Sequence, residues 1–125
     1  MKKSNKKILI AEDDKSLLSA LQEKFTNEGF SVVIALDGEE GLILAEKEKP
    51  DLFLLDIRMP KIDGLTMARK LKEEGVIAPI IFLTNFDDLK HISEATELGK
   101  FDYLVKSDWD INDIIIKVKN KLGLK

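Results

Sequence analysis

The sequence contains no cysteine, so disulfide bonds and thiolate metal sites are excluded. It also lacks a long apolar run. The basic start, Met1 to Lys7, is followed only by the short apolar stretch from Ile8 to Ala11 before an acidic stretch. That stretch is too short for the apolar region of a signal peptide and far too short to span a bilayer. We therefore expect a cytoplasmic protein that has no membrane as partner.

Neither sign of charge dominates the composition. The chain has 20 Lys and Arg residues against 23 Asp and Glu residues, a net charge of −3. This balance offers no electrostatic reason to expect direct binding of nucleic acid. A length of 125 residues with 44% hydrophobic residues suits one domain with one core.

Short apolar runs alternate with stretches that have helical periodicity. The runs are bounded by turn residues and are typical of strands buried on both faces of a parallel sheet. Residues 87 or 88 can cap the fourth predicted helix, which ends at residue 98. The predicted strands cover residues 8–11, 31–35, 52–56, 80–84 and 103–106, and the other predicted helices cover 15–28, 39–49, 63–74 and 111–122.

This alternation predicts an α/β fold with a doubly wound, five-stranded parallel sheet and five helices. A common strand order for such a sheet is 2-1-3-4-5, in which the first and third strands are neighbours. Glu12 and Asp13 follow the first strand, and Asp56 ends the third. Since the carboxyl ends of parallel strands lie along one edge, these three carboxylates are expected to meet there.

Three converging carboxylates repel one another unless a cation joins them. Mg²⁺ is the expected ion, because it prefers oxygen ligands and is commonly held by carboxylates together with a phosphate. Zinc is disfavoured because the only histidine, His91, belongs to the fourth predicted helix. If a phosphoryl group arrives, one carboxylate can attack it, while Thr84 and Lys106, at the ends of two further strands, can hold its oxygens.

The chain contains four motifs that, by their sequence and their order along the chain, resemble those of the receiver domains of two-component response regulators, the CheY-like family. They cover about residues 7–122 and together are highly specific. The resemblance implies a flavodoxin-like fold and a single receiver domain over residues 1–125 that stands alone. The motifs are ILIAEDD at residues 8–14, DLFLLDIRMPKIDG at 51–64, LT at 83–84 and YLVK at 103–106.

The resemblance also implies a role for each matching residue. Asp56 matches the acceptor of a phosphoryl group from the phosphohistidine of a sensor histidine kinase or a phosphotransfer protein. Glu12 and Asp13 match the acidic pair that holds Mg²⁺ with Asp56, and the backbone carbonyl of Arg58 matches a further ligand. Thr84 and Lys106 match the residues that bind the phosphoryl group. Tyr103 matches the aromatic residue that changes rotamer when Thr84 moves.

This rotamer change alters the face made by the fourth helix, the fifth strand and the fifth helix. A downstream protein target is expected to bind that face, or the protein associates with itself through it. The protein is thus expected to be either a monomer or a phosphorylation-linked homodimer. The implied function is a switch that promotes only its own phosphorylation and dephosphorylation, so we do not expect an enzyme.

The sequence departs from the family pattern after Lys106, after Thr84 and near the acceptor. Ser107 stands where the family usually has a proline joined by a cis peptide bond, and we predict a trans bond because a cis bond without proline costs about 3 kcal/mol or more. Asn85 is larger than the residue that the family favours, and its bulk could restrict the inward path of Tyr103. Arg58 and Phe86 stand at positions that influence access of water to the phosphoryl group, and we hypothesise that Phe86 shields it.

Three alternatives use a similar fold or chemistry. A flavodoxin-like FMN protein needs a phosphate-binding loop after the first strand, where Glu12 to Asp14 would repel phosphate. A phosphohydrolase of the haloacid dehalogenase type places its aspartyl nucleophile after the first strand, with a second Asp two positions on, which Glu12 and Asp14 fit poorly. A degenerate receiver that serves only for docking would not need a complete acidic site.

Overall fold

The computed structural model describes residues 5–85, 102–106 and 110–124. A parallel five-stranded sheet in the order β2-β1-β3-β4-β5 forms its centre. This confirms the predicted fold class and strand order. The bounds of β2, β3 and β4 are as predicted, whereas β1 begins one residue earlier and β5 begins and ends one residue earlier. The strands are β1 (Lys7–Ala11), β2 (Ser31–Ala35), β3 (Leu52–Asp56), β4 (Ile80–Thr84) and β5 (Asp102–Val105).

Four helices lie within the described residues, and each begins after an aspartate that caps it. For α1 and α3, the caps are the predicted Asp14 and Asp63, whose side chains accept hydrogen bonds from backbone N–H groups of the first turn. The fourth predicted helix lies outside the described residues. The helices are α1 (Lys15–Asn27), α2 (Gly38–Glu48), α3 (Gly64–Glu73) and the C-terminal helix (Ile111–Lys121), which is the fifth predicted helix.

The sheet is covered on both faces because its strands alternate between two apolar clusters. Ile10 and Leu54 belong to the cluster that includes residues of α1 and the C-terminal helix. Leu9 and Phe53 belong to the cluster on the other face, beneath α2 and α3. Burial on both faces is why these strands read as continuous apolar runs in the sequence.

No helix within residues 5–85, 102–106 and 110–124 combines the length and apolar character needed to cross a membrane.

Candidate functional site

Strand register brings the predicted site residues to one edge of the sheet. Ala11 pairs with Leu55, so the residues that follow them, Glu12 and Asp56, lie side by side. Thr84 ends β4, and Lys106 follows β5 directly. The site is therefore built at the carboxyl ends of four neighbouring strands, which is where open α/β sheets bind ligands.

Glu12, Asp13 and Asp56 form the predicted acidic cluster. One carboxylate oxygen from each lies within 4.8 Å of the others. Glu12 is fully buried and Asp56 is 5% exposed, whereas Asp13 is exposed to solvent. Three hard oxygen donors with one side open to water suit Mg²⁺, which keeps several of its waters when bound. The cluster thus fits the Mg²⁺ site of receiver domains.

Burial and a like charge make Asp56 a weak acid in this arrangement. Desolvation, followed by the hydrogen bond and the charge of Glu12, raises the pKa of Asp56 to about 8, although the nearby Lys106 acts in the opposite direction. Without a cation, Asp56 therefore holds a proton at neutral pH. A divalent ion bound among the carboxylates would favour the ionised form.

Lys106 reaches across the sheet edge to two of these carboxylates. Its Nζ atom lies 3.0 Å from Oε1 of Glu12 and 3.4 Å from Oδ2 of Asp56. Burial lowers the pKa of Lys106, but the hydrogen bond that its ammonium group donates to Glu12, together with the charges that Asp56 and Glu12 carry in alkali, outweighs burial, and the pKa is raised overall. The ammonium group is therefore charged and placed where it can pair with an anion at Asp56.

Thr84 is fully buried at the end of β4. Its hydroxyl donates a hydrogen bond to the backbone carbonyl of Asn85, at 3.0 Å. The structure thus places the Thr84 hydroxyl at the carboxyl end of β4, beside the acidic cluster. The hydrogen of this hydroxyl is already donated to the carbonyl of Asn85. To donate to another group, the hydroxyl must rotate away from Asn85.

Tyr103 and Arg58, the other predicted site residues, are exposed. The side chain of Tyr103 on β5 is 46% exposed. Arg58 lies two residues after Asp56 in the β3–α3 loop, residues 57–63. An open cleft lies beside the acidic cluster, and its walls combine charged and apolar side chains: Asp13, Ile57, Arg58, Met59, Pro60, Asp63 and Leu65.

Three predictions near the site fall on residues outside the described ranges. They concern the peptide bond between Lys106 and Ser107, the shielding role of Phe86, and the position of His91.

The pairing of Glu12 with Lys106 is the contact that sequence reasoning missed. β1 and β5 are separated by β3 and β4, so strand order alone gives no reason to join their ends. Only the length of the lysine side chain permits this contact. The sequence does show an acidic residue, Glu12, and a basic residue, Lys106, at the carboxyl ends of two predicted strands. This pattern indicates that both lie at one edge of the sheet, but it does not indicate that they pair with each other.

Comparison with known proteins finds a match to the response regulator receiver domain over residues 8–119. The chain is 41% identical over 102 residues to the alkaline phosphatase synthesis transcriptional regulatory protein PhoP of Bacillus subtilis (strain 168), covering 82% of this chain and 42% of that protein. It is 36% identical over 121 residues to sporulation initiation phosphotransferase F of the same strain, covering 97% of both chains. The chain thus spans less than half of one relative and nearly all of the other.

A solved structure has the same architecture. The response regulator receiver domain protein (CheY-like) from Methanospirillum hungatei JF-1 matches with a TM-score of 0.88 and 30% sequence identity, covering 96% of this chain and 95% of that chain. The sequence and structural comparisons therefore agree on one family.

Proposed function

This chain belongs to the response regulator receiver domain family, and from that premise we propose that it accepts a phosphoryl group on Asp56 in a Mg²⁺-dependent reaction. Receiver domains are the signalling domains of two-component systems. The observation that carries the proposal is the buried cluster of Glu12 and Asp56 with Asp13 beside them, faced by the ammonium group of Lys106.

Glu12, Asp13 and Asp56 would hold the metal, with the backbone carbonyl of Arg58 as a further ligand. When bound, Mg²⁺ supplies positive charge that neutralises the oxygens of an incoming phosphoryl group. The exposed Asp13 keeps one side of the cluster open to solvent, while the burial of Glu12 holds its carboxylate in one position.

Asp56 is the proposed nucleophile. An oxygen of its carboxylate attacks phosphorus, a new oxygen–phosphorus bond forms, and the bond from phosphorus to the imidazole nitrogen of the donor histidine breaks. The donor would be a sensor histidine kinase or a phosphotransfer protein. Lys106 then pairs with a phosphoryl oxygen, and the hydroxyl of Thr84 leaves the carbonyl of Asn85 to donate to another.

The movement of Thr84 is the proposed link to signalling. Space vacated by its hydroxyl would admit Tyr103, whose ring is half exposed on β5. The changed face would include β5 and the C-terminal helix, which are already joined because both Lys117 and Lys121 pair with Asp102. A downstream protein, or a second copy of the chain, would read this face through a shift between two populated states.

The name of one relative also describes a phosphotransferase. Sporulation initiation phosphotransferase F aligns with this chain over 97% of its own length. PhoP, described as a transcriptional regulatory protein, is covered over only 42% of its length, so this comparison supports the receiver chemistry and gives no support for direct DNA binding.

Mass spectrometry after incubation with Mg²⁺ and acetyl phosphate tests the proposal. We expect a single phosphoryl adduct that requires Mg²⁺ and is absent from Asp56→Asn. Asp110→Asn is the matched control because Asp110 is an exposed helix cap outside the cleft, and asparagine also caps helices. Absence of the adduct in the unchanged protein would contradict the proposal, and repeated turnover of phosphate esters would indicate a phosphohydrolase instead.

A further inference from the structure

The first residue of α2 lies against the loop that follows the phosphoryl-accepting strand. A β-carbon built on Gly38 would overlap the carbonyl oxygen of Ile62 and would lie 2.8 Å from both its carbonyl carbon and its Cβ atom. These distances are too short for any real contact, and two of the three atoms are backbone. Gly38 is therefore required for Ile62 to approach α2 this closely.

A second close approach lies two residues further along the same segment. A β-carbon built on Gly64 would overlap the carbonyl oxygen of Asp56 and would lie 3.0 Å from the Cα atom of Ile57. The N–H group of Gly64 also donates to the carbonyl of Ile57, at 2.8 Å. The segment Ile62–Gly64 is thus enclosed between α2 on one side and the backbone of Asp56 on the other.

Of the two elements that meet at Gly38, the loop is the one less firmly held. The start of α2 is fixed by Asp37, whose side chain accepts from the N–H of Glu40 at 2.8 Å, and by Glu40, whose side chain accepts from the N–H of Leu36 at 2.9 Å. The loop forms no helix or strand between Arg58 and Asp63: the N–H group of Ile62 donates to the carbonyl of Pro60 at 2.8 Å, Nζ of Lys61 lies 3.8 Å from Oδ2 of Asp37, and Lys61 has a positive φ of 68°. Extra bulk at Gly38 would therefore displace the loop toward Asp56.

We propose that Gly38 is a positioning residue for the phosphoryl-accepting site: its lack of a side chain lets the Ile62–Gly64 segment set the backbone position of Asp56 relative to Glu12 and Asp13. The inference rests on the proposed function for its reaction, but its geometry concerns only residues of this chain. The three atoms nearest to a β-carbon built on Gly38 all belong to Ile62, so Gly38 acts on Asp56 through Ile62 and Gly64.

Gly38→Ala tests this, with Gly41→Ala as the matched control. Both replacements add one β-carbon within α2, but at Gly41 that carbon would crowd only side-chain atoms: Cε and Sδ at the end of Met67, at 2.7 Å and 3.0 Å, with Cβ of Ala11 at an ordinary contact distance of 3.8 Å. In the metal-free protein we expect Gly38→Ala to shift the amide NMR resonances of residues 56–58, and Gly41→Ala to leave them in place. We also expect Gly38→Ala to weaken Mg²⁺ binding and slow phosphorylation by acetyl phosphate, each by about tenfold or more.

The Mg²⁺ affinity is measured from the increase in the free energy of unfolding that saturating Mg²⁺ produces. This increase depends on ligand concentration and affinity, so it does not change merely because a variant is less stable. If Gly38→Ala yields no folded protein, Ile62→Gly serves as the second variant, because it removes the β-carbon that faces Gly38. We expect it to weaken Mg²⁺ binding as well.

The outcomes separate this inference from the proposed function. If the unchanged protein binds Mg²⁺ but takes no phosphoryl group, the proposed function fails, and the resonances and Mg²⁺ affinity still decide the role of Gly38. Resonances of residues 56–58 that do not move in Gly38→Ala, or a Mg²⁺ affinity that falls no further than in Gly41→Ala, would overturn the inference. An unchanged Mg²⁺ affinity in Ile62→Gly would overturn it equally.

Discussion

Lys106 lies closer to Glu12 than to Asp56. Its Nζ atom is 3.0 Å from the Glu12 carboxylate and 3.4 Å from that of Asp56. Glu12 is fully buried, and its other oxygen accepts from the N–H of Asp14 at 3.0 Å. In the metal-free site, Lys106 thus lies nearer to Glu12 than to Asp56, and burial together with Glu12 raises the pKa of Asp56.

Replacement of Asp56 by asparagine is expected to stabilise the metal-free protein. Because the pKa of Asp56 is raised to about 8 by burial and by Glu12, the folded chain holds a proton that the unfolded chain releases near pH 4. Folding stability therefore falls as pH rises from about 4 to about 8. At pH 8, we expect Asp56→Asn to raise the free energy of unfolding by about 2 kcal/mol.

Urea unfolding in buffer with a chelator checks this expectation. The difference between Asp56→Asn and the unchanged protein should shrink as pH falls toward 4, and it should level off below that pH, where Asp56 is protonated in both states. Asp63→Asn, at an exposed helix cap, should show no such trend. A destabilised Asp56→Asn variant at pH 8 would show that the buried carboxylate is better compensated than the geometry indicates.

Much of this geometry could be predicted from the sequence. The apolar runs indicated strands buried on both faces. The bounds of β4 (Ile80–Thr84) were predicted to the residue because Pro79 and Asn85 flank it, and those of β2 (Ser31–Ala35) because turn residues, Gly29 and Asp37, lie just beyond its ends. Strand order then placed Glu12 beside Asp56. The strands follow from periodicity, which is a local property of the chain, and their order follows from a topology that is common among doubly wound sheets.

The remaining contacts depend on distances between elements that are far apart in sequence. The reach of Lys106 across two strands to Glu12 depends on a side-chain conformation that no pattern specifies. The contacts of Gly38 with Ile62, and of Gly64 with Asp56, depend on how closely α2 and the β3–α3 loop pack. A glycine at the first residue of a helix is compatible with many structures, so its role appears only when the neighbouring backbone is known.

Removal of the positive charge of Lys106 is expected to destabilise the metal-free fold. Lys106→Met keeps most of the aliphatic stem but leaves the fully buried Glu12 carboxylate without its ammonium partner. We expect the free energy of unfolding to fall by about 3 kcal/mol, as for other buried pairs that lose one member. Chemical denaturation without Mg²⁺ measures this change.

A double-mutant cycle with Glu12→Gln identifies the cause. If the loss comes from an uncompensated charge, Glu12→Gln/Lys106→Met should regain most of it, with an interaction energy of about 1 kcal/mol or more. Additive losses would instead assign the effect of Lys106→Met to packing.

Acid should weaken the contact between α1 and the C-terminal helix. Glu28, which caps the end of α1, accepts a hydrogen bond from Nζ of Lys119 at 2.6 Å, and this bond together with the lysine charge lowers the pKa of Glu28. Because the pKa is lower in the folded chain than in the unfolded one, the contribution to stability is present above the unfolded value. It is lost as pH falls through the folded value. Glu28→Gln is thus expected to reduce stability near neutral pH by less than about 1 kcal/mol, and to have a smaller effect in acid.

Unfolding curves for Glu28→Gln and the unchanged protein, collected between neutral and acidic pH, measure this difference. Lys119→Met should show the same pH dependence, and combining the two replacements should add little. Lys121→Met is the matched control: Lys121 lies on the same helix but pairs with Asp102, so its effect should add in full to that of Glu28→Gln. If Glu28→Gln differed from the unchanged protein by the same amount at every pH, the ionised form of Glu28 would not be what holds α1 against the C-terminal helix.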